Sequence, residues 1–80
     1  MKIYMDDSKN DRFPIDNLSG KTKLKELKQR IISLKNIDTT TYDIDIIWNG
    51  ETLDQDDEDL DYYDVCDEAK LLYLRKYKAG

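Results

Sequence analysis

The chain predicts an α+β fold in which one amphipathic helix lies across one face of a mixed β-sheet. Three observations carry that expectation. Short runs alternate apolar and polar residues, the period of strands buried on one side only. Leu24, Leu27, Ile31 and Leu34 instead recur at three- and four-residue spacing, the stripe of a helix resting on a core. Asn49-Gly50 stands directly between two strand-like runs, the strongest short-range signal for a hairpin.

Taken in order, residues 1–5 alternate, with Ile3 and Met5 on one face and Lys2 and Tyr4 on the other. A polar loop over residues 6–11 follows. Residues 12–18 alternate again, Phe13 and Ile15 inward, Arg12, Pro14 and Asp16 outward. Pro14 lacks a backbone donor, which places this second strand at a sheet edge. Thr22 is the expected helix N-cap, and Asn36 the C-cap with Ile37 packing back. The lysines of the first turn oppose the helix dipole, so local electrostatics alone do not select this start. Over residues 43–48, Ile44, Ile46 and Trp48 point inward and Asp43, Asp45 and Ile47 outward. Glu51-Thr52-Leu53 begins the return strand. Residues 54–61 form an acidic loop anchored by Leu60. Lys70 to Tyr77 closes the chain as a strand, Leu71 and Tyr73 inward, Leu72 and Leu74 outward. The expected order is strand, strand, helix, strand, short strand, acidic loop, strand, with the first and last strands parallel at the centre.

Eighty residues can close only one apolar core. The opening residues show no leader-like stretch and no apolar run is long enough to span a bilayer, so the expectation is an intracellular protein of the cytoplasm or nucleus. Asn17-Leu18-Ser19 is then a chance match to a glycosylation sequon. Cys66 is the sole cysteine and histidine is absent, which excludes Cys-His and Ser-His-Asp catalysis and nearly all zinc sites. No enzyme activity, cofactor or metal is expected.

Charge is segregated. Residues 21–36 sum to +5, residues 51–68 to −10 and residues 69–80 to +4, within a net −5. That balance argues against general nucleic-acid binding and for steering of charged protein partners. Ser19-Gly20-Lys21-Thr22 looks like the end of a phosphate-binding loop, but Ile15 stands where that motif needs its first glycine. The acidic loop lacks both the bending glycine and the closing glutamate of a calcium loop. The first is expected to be no phosphate site, and the acidic loop to be a solvated loop with weak, non-specific cation binding. The helix lysines lack interleaved aromatics and are expected to be a solvated face.

The ordered set of elements resembles the ubiquitin-like protein family over essentially its whole length. Met1-Lys2-Ile3-Tyr4-Met5 is similar to ubiquitin's first strand, and Thr22, Leu24, Leu27, Lys28 and Ile31 to its helix. Ile46-Ile47-Trp48-Asn49-Gly50 with Leu53 is similar to its third strand and turn. Leu60, Tyr63 and Val65, then Leu71 and Tyr73, resemble its last loop and strand. The resemblance implies a ubiquitin-like β-grasp domain over residues 1–75 and a flexible C-terminal tail over residues 76–80. It also implies an apolar protein-binding patch at Ile47, Leu72 and Leu74, which the alternation independently turns outward. Such clusters on a wet face usually mark binding sites. The loop leucine that completes the patch in ubiquitin is here Ser8.

The same resemblance implies conjugation through Gly80, by an isopeptide bond to a target lysine. Lys76, Lys78, Ala79 and Gly80 form the corresponding tail. Ala79 replaces the penultimate glycine, and Lys76 replaces an arginine whose planar fork serves recognition. Glu51 and Asp67 stand at the two best-known chain-forming lysines; Lys28 is retained as a linkage lysine. Polymeric chains are therefore not expected. The implied partners are ubiquitin-binding, activating or conjugating proteins, with no specific nucleic acid and no membrane, and the chain is expected to be a monomer. The alternatives are a non-conjugated adaptor module and, more distantly, a sulfur carrier.

Overall fold

Alternation over a handful of residues yields short strands, and the computed structural model, which describes residues 1–78, contains five of them. Strand β1 spans Ile3–Asp6 and β2 Arg12–Ile15; helix α1 spans Leu24–Lys35; β3 spans Tyr42–Trp48, β4 Glu51–Leu53 and β5 Lys70–Tyr77. They form one mixed sheet in the order β2-β1-β5-β3-β4. Strands β1 and β5 run parallel, with Met5 opposite Leu71; every other pair is antiparallel. Strand β2 lies at the edge, where Pro14 faces Tyr4 without breaking an inner ladder.

The helix and the inward residues of the sheet meet in one core. Leu24, Leu27 and Ile31 are fully buried, as are Ile3, Met5 and Ile46, with Leu71 and Tyr73 nearly so. Burying each such side chain contributes roughly 1.5–3 kcal/mol. Asn49 and Gly50 both have positive φ, 54° and 78°, as a two-residue hairpin turn requires to follow the twist of the strands. Among the described residues no helix is long and apolar enough to cross a membrane.

Several expectations need correction. The helix N-cap is Lys23, not Thr22, and it offers no side-chain hydrogen bond. The Thr22 hydroxyl instead accepts from the Ser19 N–H. The acidic loop supplies the missing cap: the Leu24 N–H donates to the Glu58 carbonyl at 2.9 Å and the Lys25 N–H to the Asp56 carbonyl at 3.1 Å. The loop also brings carboxylates to the lysines that oppose the dipole. Lys25 pairs with Asp57 at 3.1 Å and Lys28 with Asp56 at 2.8 Å. Leu60, fully buried, anchors it. A Cβ at Gly20 would meet the carboxylate of Asp61, which lies over this glycine.

Leu34 is 55% exposed and does not belong to the buried stripe. At the last turn the space beside the sheet is taken by Lys35, whose ammonium lies 4.3 Å from the Phe13 ring centroid. Ile37 folds back into the core after Asn36, which caps the helix in the left-handed conformation. Strand β2 ends at Ile15, short of residue 18, because Asn17 turns left-handed and redirects Leu18 inward. Trp48 and Phe13 are on the inward side but only half-buried.

Residues 76–78, expected in a flexible tail, are instead held to the sheet. Lys76 pairs with Asp43 and Tyr77 with Tyr42 across the β3–β5 ladder, and the Lys78 N–H donates to the Thr41 carbonyl at 3.0 Å. The Tyr42 and Tyr77 rings, 4.9 Å apart, extend the strand that far. Ala79 and Gly80 lie outside the described residues.

Candidate functional site

A strand side chain points to the opposite face from its neighbours, so burying Ile46, Leu71 and Tyr73 under α1 commits Ile47, Leu72 and Leu74 to the other face. The register then brings them together. Ile47 stands directly opposite Leu72, and Leu74, two residues along the same strand, stands opposite Asp45. All three are half-buried by one another and by their neighbours. Ile46, one residue from Ile47, is fully buried on the helix side.

Two residues outside the expected patch join it. Tyr4 of β1 projects from the same face, opposite Lys70 and half-buried, with the Lys2 ammonium 5.3 Å from its ring centroid. Asp45 puts a carboxylate beside Leu74. The alternation of residues 1–5 and 43–48 already turned both outward; what it lacked was the register that places them next to the leucines. On another side, Asp6 and Arg12 close the face with an ion pair at 2.7 Å, which holds the Asp6 carboxyl below its ordinary range. The hairpin residues Asp7, Ser8 and Lys9 share a shallow hollow with Leu74 and Arg75, so the patch ends there in polar groups.

The remaining expected site residues are dispersed. Lys76 follows Leu74 on the open face, opposite Asp43. The Lys78 ammonium is 3.9 Å from an Asp43 carboxylate oxygen. Lys28 lies away from the patch, tied to Asp56 with its side chain only 20% exposed. Its ammonium is therefore engaged at the helix–loop seam. Three of the loop carboxylates are likewise engaged by protein groups: besides Asp56 and Asp57, Asp59 accepts the Tyr62 N–H at 2.9 Å. Cys66 is exposed and unbridged.

No protein-family model matches the chain, and no curated protein matches it either. What is shown is a small α+β fold with one helix and a five-stranded mixed sheet, one face of which carries Ile47, Leu72 and Leu74 as a contiguous apolar patch.

Proposed function

We propose that this protein is a ubiquitin-like β-grasp domain that works by being bound by other proteins on its open sheet face. The single observation that carries this reading is the direct pairing of Ile47 with Leu72, with Leu74 next along β5, on the face turned away from α1. Three large aliphatic side chains there are unfavourable to leave in water and gain on being covered. The order β2-β1-β5-β3-β4, with β1 and β5 parallel and one helix between the two hairpins, supports the β-grasp assignment. The partners are proteins of the ubiquitin-binding kind, presenting a short apolar stripe, and the domain itself performs no chemistry.

A non-conjugated adaptor role is favoured over conjugation through Gly80 by one observation. Pairing of β5 through Tyr77 and the Lys78–Thr41 hydrogen bond keep residues 76–78, the start of the implied conjugation tail, bound to the sheet. The patch is tested by calorimetric titration against a panel of helical ubiquitin-binding segments. Leu74→Asp is expected to weaken any interaction at least tenfold while thermal melting stays unchanged; equal affinity for both forms would remove the reading. The tail is tested separately, by incubation with ATP and cell lysate. The adaptor reading expects no high-mass adducts; adducts that vanish when Ala79-Gly80 is deleted would make the protein a modifier.

A further inference from the structure

Around the end of the sheet from the patch lies a second surface, independent of it, built from the β3–β4 hairpin and the turn at residues 61–64. Trp48, the only tryptophan of the chain, is its centre. Its indole Nε1 donates to the Tyr63 carbonyl at 3.0 Å, and the Tyr63 hydroxyl accepts the Gln55 N–H at 2.8 Å. These bonds tie down both rings through their polar atoms. The Tyr62 ring stands 5.0 Å from that of Tyr63, tilted by 59°, and Tyr62 is 53% exposed. The three aromatic residues line one groove of about 450 Å³.

The rest of the groove wall decides what would enter it. It includes the carboxylates of Glu51 and Asp64, and no lysine or arginine. Neither carboxylate makes an ion pair with a described residue, whereas Asp56 and Asp57, in the adjoining loop, each hold a lysine. An aromatic cluster that only packed against the core would be as well served by neutral neighbours. Aromatic faces carry a negative quadrupole, and with fixed carboxylates beside them they attract organic cations, which lose less hydration than small metal ions.

The geometry points to a site for an organic cation, the lysine or arginine side chain of a protein partner, seated against Trp48, Tyr62 and Tyr63 with Glu51 and Asp64 as its counter-charges. The Trp48 and Tyr63 rings are held by hydrogen bonds made within the protein, so these two need little ordering on binding. Because Ile47 and Trp48 are neighbours that face opposite ways, a partner laid across the open face and reaching round β4 meets both surfaces. The cation site does not depend on that arrangement.

Trp48 reports directly on its own site. The whole chain is titrated at constant ionic strength with choline, with its neutral carbon isostere 3,3-dimethylbutan-1-ol, and with the Nα-acetyl amides of lysine and arginine, while tryptophan emission is followed. The three cations are expected to give saturable changes and the neutral isostere none. Tyr62→Leu and Glu51→Gln, both at exposed positions, are each expected to weaken binding about 2- to 5-fold with unchanged melting. A response to the isostere equal to that to choline, a linear response without saturation, or parental affinity in both variants would overturn the assignment.

Discussion

The two faces of the sheet are made from the same strands and obey opposite rules. On the helix side, Ile46, Leu71 and Tyr73 are sealed under α1; on the other, Ile47, Leu72 and Leu74 stand half-covered, with no helix or strand among the described residues over them. Residues adjacent in sequence thus differ in what covers them. The covered face keeps the domain folded, and the open one is left apolar at some cost in solubility, which a partner would relieve.

The sharpest way to break that comparison is to truncate neighbours on β3. Ile46→Ala empties space in a closed core and is expected to cost about 2–5 kcal/mol of stability, measured by urea unfolding. Next in size, Gly50→Ala forces a Cβ into a left-handed turn position at the hairpin joining β3 and β4, and is expected to cost about 1 kcal/mol by the same assay. Ile47→Ala removes a side chain that nothing seals, and is expected to cost less than about 1 kcal/mol. Equal losses at Ile46 and Ile47 would mean that the two faces are not distinct in energy.

Smaller still is the effect of the surface charges. Lys25→Gln breaks the pair with Asp57, both side chains being more than half exposed, and is expected to shift melting only slightly. Acid acts on the same class of contact. Asp6 is held below its ordinary value by Arg12, Asp7 by the Asp11 and Lys9 backbone N–H groups, Asp38 by Thr40 and Thr41, and Asp57 by Lys25. A carboxyl lowered on folding stabilises the native state above its unfolded value, here 3.8, and that contribution disappears as pH falls through the lower folded value. Melting temperature is therefore expected to be insensitive to these groups above pH 3.8 and to decline below it. A decline beginning near neutrality would assign the acid response to other groups.

Much of this architecture is legible in the sequence, because strand and helix periods are local. Ile44 and Ile46 against Asp43 and Asp45, or Leu71 and Tyr73 against Leu72 and Leu74, announce their faces without knowledge of any partner strand. Asn49-Gly50 declares its turn for the same reason. Apart from the left-handed turn at Asn17 that ends β2 early, the failures involve contacts distant along the chain. The helix start is capped by carbonyls of Asp56 and Glu58, some thirty residues on, so a search for a local cap settles wrongly on Thr22. Leu34 fits the helical stripe, yet the helix ends where Lys35 and Ile37 already fill the space. Lys76 and Tyr77 look like tail until Asp43 and Tyr42 are placed opposite them. Of the candidate site, the outward direction of Ile47, Leu72 and Leu74 is local information, while their adjacency, and the company of Tyr4 and Asp45, is register. The groove at Trp48 is less legible still, since its rings come from segments about fifteen residues apart.

The central claim is that the uncovered face of the sheet is the working surface. Methyl-resolved NMR during titration with a helical ubiquitin-binding segment tests it most directly. The expected result is that the Ile47, Leu72 and Leu74 methyls shift together and saturably while those of Ile46 and Leu71 stay in place. Shifts confined to α1, or a titration that leaves those three methyls unmoved while binding occurs, would contradict it.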